Sequence, residues 1–184
     1  MTPVSLPEEI KGPRITLRKH ALSQAATMFQ YVDQDRARLG QFLPWVKFTK
    51  GVDDERDYIE MTHRQWEDFR MFDYGIFHND DDLYMGNIGV HTISWENFRC
   101  ELGYWILGGF EGQGYVSEAV RTLENVLFAT GFYRIEIHCS GLNKKSSSVA
   151  ERCGYKFEAR LREHALENGL RRDTLIYAKL LHER

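Results

Sequence analysis

The segment Glu101-Leu-Gly-Tyr-Trp-Ile-Leu-Gly-Gly-Phe-Glu-Gly-Gln-Gly-Tyr-Val-Ser-Glu118 constrains this chain more than any other. It reads as a strand, a glycine-rich turn and the start of a helix. The first N–H groups of a helix have no internal partner, and the aligned peptide dipoles place about half a positive charge there. Glycines let the preceding backbone curl so that several N–H groups converge on one anion. A diphosphate is the natural ligand of such a turn. Gly108, Gly109, Gly112 and Gly114 taken alone leave a second reading open, a tight loop that holds nothing. Two familiar phosphate loops fail here. Gly112-Gln-Gly114-Tyr-Val-Ser117 supplies two of the three glycines of the dinucleotide fingerprint and lacks a preceding βαβ unit. The P-loop needs Gly-Lys followed by Ser or Thr, which does not follow Gly114.

The rest of the chain reads as a mixed α/β (α+β) domain spanning 1–184. Arg14 to His20 alternates charged and apolar residues, as a half-buried strand does. Residues 21–39 carry Ala25, Met28, Phe29 and Val32 at helical spacing behind Ser23, a candidate N-cap. Asp53 to Phe69 reads as a second helix with a buried stripe through Tyr58, Met61 or Thr62, Gln65 or Trp66, and Phe69. Three strands follow, over 74–78, 84–95 and 100–107. Then come a helix over 117–130, a strand over 133–139, a short helix over 146–152 and two strands joined by Asn168-Gly169, the type I′ hairpin dipeptide. The balance of 24 Lys+Arg against 27 Asp+Glu excludes a strongly basic nucleic-acid domain. No apolar run approaches the ~18 residues of a membrane span. Three cysteines without Cys-x-x-Cys spacing fit reduced thiols, and the expectation is a soluble cytoplasmic protein. The scattered histidines lack ligand spacing, so no metal is expected.

The glycine segment resembles the acetyl-CoA pyrophosphate loop of the GCN5-related N-acetyltransferases. Three further segments match that family in order. They are Asn143-x-x-Ser146-x-x-Val149-Ala-Glu-x-x-Gly154-Tyr155, then Phe42-Leu-Pro-Trp45 ahead of Asp53-Asp54-Glu55, and the final Gly169-x-x-x-Asp173 hairpin. Together they are similar to the branch that acetylates serine or alanine at ribosomal-protein N-termini. The resemblance implies a mostly antiparallel sheet of about seven strands flanked by about four helices, and acetyl-CoA as cosubstrate. It also implies an amine acceptor, a ribosomal-protein N-terminus in the nearest branch, and is compatible with a homodimer. An antibiotic or polyamine acetyltransferase and a catalytically silent acyl-CoA-binding module remain alternatives. This chain departs from the branch at Glu111, where Gln or Arg is usual, at Val116, where Gly or Ala is usual, and at Ala165, where some members carry a catalytic Glu in the hairpin.

On that resemblance, Trp105, Ile106 and Leu107 meet the pantetheine arm, and Gly112, Gln113, Gly114, Tyr115, Val116 and Ser117 cradle the diphosphate. Acetyl transfer requires an amine that loses a proton and a thiolate that gains one. Glu101 is the candidate base, directly or through a water, because it shares one strand face with Gly103 and Trp105; an exposed strand-end acid is its alternative. Ser146 is the candidate acid for the thiolate, or a helix N-cap. Asn143 is a candidate partner for pantetheine or the acceptor amine. Trp45 and Tyr104 are assigned to the acceptor groove. His138 and Cys139, as strand neighbours, point to opposite faces and form no dyad.

Overall fold

The computed structural model describes residues 2–184. Eight strands form one sheet: β1 (Glu9–Lys11), β2 (Ile15–Lys19), β3 (Phe72–His78), β4 (Tyr84–Ser94), β5 (Arg99–Ile106), β6 (Arg134–Ser140), β7 (Lys156–Glu167) and β8 (Leu170–Leu180). Their order is β1-β2-β3-β4-β5-β6-β8-β7. Every neighbouring pair is antiparallel except β5 and β6. The α-helices are α1 (Ala25–Gln34), α2 (Arg36–Leu39), α3 (Val52–Glu67), α4 (Tyr115–Thr130) and α5 (Lys144–Arg152). The architecture is the expected one with one strand and one helix more. The added strand, β1, has three residues and a single buried side chain, Ile10, too short a run to show alternation.

Local departures from the sequence reading have identifiable causes. The helix expected over 21–39 breaks at Asp35, whose carboxylate accepts a hydrogen bond from the backbone N–H of Gly108 at 2.8 Å. Ser23 does not cap it; the Gln24 side chain takes the Ala21 N–H instead, at 2.8 Å. In α3 the buried stripe is Glu55, Ile59, Thr62 and Trp66, so Tyr58 lies beside it and Phe69 follows the helix with a φ of 56°. Asp54 rather than the whole acidic run closes the N-terminus, accepting from the Lys50 and Gly51 N–H groups at 2.7 and 2.9 Å. The Asn168-Gly169 turn has φ values of 48° and 79°, both in the left-handed region a type I′ turn demands.

Helices cover both faces. Ala119, Val120, Leu123 and Leu127 of α4 join Ile15, Leu17, Cys100, Leu102, Ile135 and Ile137 in the larger core. On the opposite face, Ala25 and Met28 of α1 and Ile59 of α3 meet Phe77 and Tyr84, with Trp105 at the margin. Under α3, buried Asp73 accepts from the Tyr58 hydroxyl at 2.7 Å and the Asn87 amide at 3.2 Å, and lies 2.8 Å from His20 Nε2. This polar node ties β3 and β4 to the helices above them.

One topological feature positions the site. The parallel strands β5 and β6 pair only from Arg99↔Arg134 to Glu101↔Glu136. Past that point β5 runs on to Ile106 while β6 follows β8 as far as Ser140↔Thr174. The sheet therefore splits into a wedge whose apex is Glu101 and Glu136.

Candidate active site

On one side of the wedge lies the turn from β5 into α4. Gly112 and Gly114 take φ values of 74° and 84°, a region that costs an L side chain roughly 1–2 kcal/mol. The first bond of α4 runs from the Glu118 N–H to the Gly114 carbonyl at 3.0 Å. Among the described residues, none of the backbone N–H groups of residues 112–117 meets a protein acceptor. Six successive donors thus converge at a helix start, next to open space above Gly109 and Gly112. Unpaired N–H groups at a helix start, with the positive end of the helix dipole behind them, are suited to an anion from outside the chain. Ser117 Oγ is likewise buried without a partner. The adjoining cavity, of about 640 Å³, is walled by Trp105 and Ile106, by Gly112, Gly114, Tyr115 and Val116, and by Asn143 and Ser146 across the gap. That is the size of a cofactor site.

Three residues expected at the cofactor do not reach this wall. Leu107 gives its N–H to the Met85 carbonyl at 2.8 Å and is buried. The Gln113 side chain folds back onto the Gly109 carbonyl at 2.9 Å. Ser117 turns its hydroxyl inward. The last two still offer backbone N–H groups to the cradle. At the cavity mouth, Glu111 is held between two cations, Arg38 Nη1 at 2.6 Å and Lys145 Nζ at 2.5 Å. Arg38 also donates to Asp35 and to the Ile106 carbonyl at 2.6 Å. Burial pushes the Asp35 carboxyl up, but the hydrogen bonds from Arg38 and from the Gly108 N–H outweigh it and hold it below its ordinary value. Sequence reading missed Arg38, Asp35 and Lys145, because nothing local ties α2 or α5 to a turn some 30–70 residues away.

The narrow end of the cavity carries hydroxyls. Asn143 caps α5, its Oδ1 accepting from the Ser146 N–H at 3.1 Å, so the cap role falls to Asn143 and not to Ser146. Ser146 Oγ lies 3.2 Å from the Tyr104 hydroxyl, which donates to the Ser146 carbonyl at 3.1 Å. Tyr104, expected in the acceptor groove, stands with Ser146 on the wall of the cavity. It alternates with Gly103 and Trp105, which face the other way. Burial raises its phenol well above the usual range. Cys139 is buried, and burial likewise raises its thiol.

The opposite face of the wedge holds Glu101, Gly103 and Trp105. The Trp105 ring packs on Trp45 at 5.7 Å and on Tyr84 at 6.0 Å. Glu101 Oε2 accepts from Thr92 Oγ1 at 3.3 Å and lies 3.4 Å from His138 Nδ1 and 4.0 Å from His91 Nδ1. The tip of the hairpin reaches the segment after α2, where Asn168 Nδ2 lies 3.4 Å from the Gln41 carbonyl. Ala165, paired with Arg172, brings no carboxylate, but Glu167 two residues on accepts from Ser140 Oγ at 2.8 Å. Trp45 packs on Trp105, whose strand face Glu101 shares, and Trp105 also borders the cavity. Tyr104, Asn143, Ser146 and the glycine cradle lie together along its wall.

The chain matches the Acetyltransferase (GNAT) domain family model over residues 14–156. YdaF of Bacillus subtilis (strain 168), named provisionally as a ribosomal N-acetyltransferase, is 30% identical over 171 residues, covering 92% of each chain. The ribosomal-protein-serine acetyltransferase of Escherichia coli (strain K12) is 27% identical, covering 90% of this chain and 93% of that one. Among solved structures, the microcin C7 self-immunity acetyltransferase MccE, in complex with acetyl-CoA and AMP, superposes with a TM-score of 0.90 at 27% identity. That match covers 95% of this chain and 97% of MccE. The conjunction of a diphosphate cradle, a split sheet and these relatives leads to one conclusion: this chain is an acetyl-CoA-dependent N-acetyltransferase and belongs to the GCN5-related (GNAT) family.

Proposed function

We propose that the acceptor is the α-amine of a protein, a ribosomal protein by likeness to the E. coli and B. subtilis relatives, acetylated by direct transfer in a ternary complex. The observation that carries this reading is the wedge itself. Its two faces present different chemistry, cradle and hydroxyls on one side and carboxylate and aromatics on the other, and meet only through the gap between β5 and β6. The diphosphate of acetyl-CoA sits on the backbone donors of residues 112–117, and the pantetheine arm runs along Trp105 and Ile106 into the gap. The acceptor enters over Trp45 and Trp105, beneath the hairpin that touches Gln41.

In the reaction, the ammonium of the acceptor first gives one proton to Glu101, directly or through a water. Its lone pair then attacks the thioester carbonyl carbon; the C–N bond forms and the C–S bond breaks. The departing thiolate takes the electron pair and receives the second amine proton, with the Ser146 and Tyr104 hydroxyls beside it. Holding amine and thioester in line supplies much of the acceleration.

A panel of acceptors tests the proposal: peptides with free Ser or Ala N-termini, the same peptides with blocked termini, spermidine, and an aminoglycoside. Thiol release from acetyl-CoA is the readout. Only the free-terminus peptides are expected to turn over. The Trp45–Trp105 pair, two indole rings tilted by 50° that offer faces for stacking, favours one second reading, an aminoacyl-nucleotide acceptor. Such a compound belongs in the panel, and its preferential turnover would replace the peptide assignment. Binding of acetyl-CoA with no turnover of any acceptor would leave the silent acyl-CoA-binding module.

A further inference from the structure

The carboxylate assigned above as base does not stand alone. Glu101, at the apex of the wedge, shares its side of the sheet with His138 and Glu136 of β6. His138 Nε2 lies 2.8 Å from Glu136 Oε2, and His138 Nδ1 lies 3.4 Å from Glu101 Oε2. Glu136 is itself fixed by Arg134 Nε at 2.7 Å, and Arg134 grips Glu158 with its two remaining nitrogens at 2.9 and 2.5 Å. Burial pushes the Glu136 carboxyl up, but hydrogen bonds from Arg134 and His138 overcome this and hold it below the ordinary carboxylate range. A carboxylate kept ionised can only accept, so the His138 Nε2 position carries the hydrogen. In the neutral ring the lone pair is then on Nδ1, pointed at Glu101. The two acceptors, 3.4 Å apart, are placed to take up one proton between them.

We infer that Glu101 and His138 act together as the proton-accepting unit of this enzyme, with Glu136 as the residue that positions the imidazole. The inference rests on the functional reading above and extends it. A neutral imidazole with its Nδ1 lone pair beside Glu101 offers the amine proton a second acceptor that a strand-end carboxylate by itself lacks. The side chains of His138 and Glu101 retain 27% and 17% of their exposure, enough for one water to bridge them to the gap. The groups facing the pair are few. They are His91 and Thr92 from β4, and Arg99 from β5, 3.5 Å from Glu136. Arg134 lies on β6. From β7 come Glu158 and His164, the latter held 3.0 Å from Thr174. Thr174, Ile176 and Ala178, the β8 residues registered against Ser140, His138 and Glu136, carry no charge.

The test compares wild type with H138Q and E136Q, using a Ser-led peptide as acceptor over a range of pH. Wild-type kcat/KM for the peptide is expected to rise with pH along an acid limb. In H138Q it falls about 10²-fold, the lower end of what a positioned base contributes, and the limb changes shape, while the KM for acetyl-CoA stays as it was. In E136Q the limb moves to lower pH, since the anion that favours a charged imidazole is gone. Imidazole ¹⁵N shifts are read in parallel: His138 is expected as the Nε2–H tautomer in wild type, with that preference lost in E136Q. Full activity and an unchanged pH profile in H138Q, or a neutral Nδ1–H tautomer in wild type, overturn the inference alone. A wild-type enzyme that acetylates no acceptor overturns the functional reading, and the inference falls with it.

Discussion

At the residue scale, the side chains that matter most are those whose surroundings alter their chemistry. Glu55 is 4% exposed and has no side-chain hydrogen-bond or ion-pair partner among the described residues, and burial pushes its carboxyl up from 4.5 to about 7. A folded-state value above the unfolded one means that the native state binds this proton more tightly. Stability from this group is therefore present below pH 4.5 and is lost as pH rises to about 7. The loss approaches about 3 kcal/mol at higher pH. Glu55→Gln is predicted to raise stability against urea at pH 8 and to change it little at pH 5; equal effects at both would refute a buried, charge-penalised Glu55. Beside the thiol end, Ser146→Ala and Tyr104→Phe are each expected to lower kcat roughly tenfold with little change in the KM for acetyl-CoA, because a hydroxyl is a weak acid. Steady-state kinetics separate this from a binding role, in which KM would rise and kcat hold. Asn143→Ala should cost about 1 kcal/mol of stability, the worth of an N-cap, seen as a lower Tm.

At the scale of elements, the cradle depends on backbone conformation more than on side chains. Above Gly112 there is room for a Cβ, since nothing lies within 4 Å, yet its φ of 74° suits only glycine without cost. Gly112→Ala is thus predicted to weaken acetyl-CoA binding about tenfold by redirecting N–H groups, with no steric clash to blame. Calorimetric titration measures it, and unaltered affinity would mean that the turn does not hold the diphosphate. The turn and α4 were legible in the sequence because glycine spacing, strand alternation and the 3.6-residue period are all local signals. Asn168-Gly169 was legible for the same reason. The break at Asp35 was not, because its cause is a hydrogen bond to Gly108, distant in sequence. The α3 stripe was legible at Thr62 and Trp66, one of each pair of candidates, but not at its start, where Glu55, an acid, lies inside it and Ile59 takes the place read for Tyr58.

At the scale of the whole molecule, function follows from a sheet that is continuous at one end and split at the other. Three residue pairs hold β5 to β6, and the crossover through α4 carries the chain from one to the other. That arrangement places a helix start on one side of the gap and Glu101 on the other. Sequence motifs named both sides, through Gly112 to Ser117 and through Glu101. They did not reveal that Tyr104 meets Ser146, nor that His138 and Glu136 stand beside Glu101, since both depend on strand register between segments over 30 residues apart. The most direct test of the account is to locate the acetyl group on a peptide that offers two amines, a free Ser N-terminus and an internal lysine. Tandem mass spectrometry after reaction with acetyl-CoA is predicted to find the acetyl group on the α-amine alone. Acetylation of the lysine side chain, or of neither amine, would contradict it.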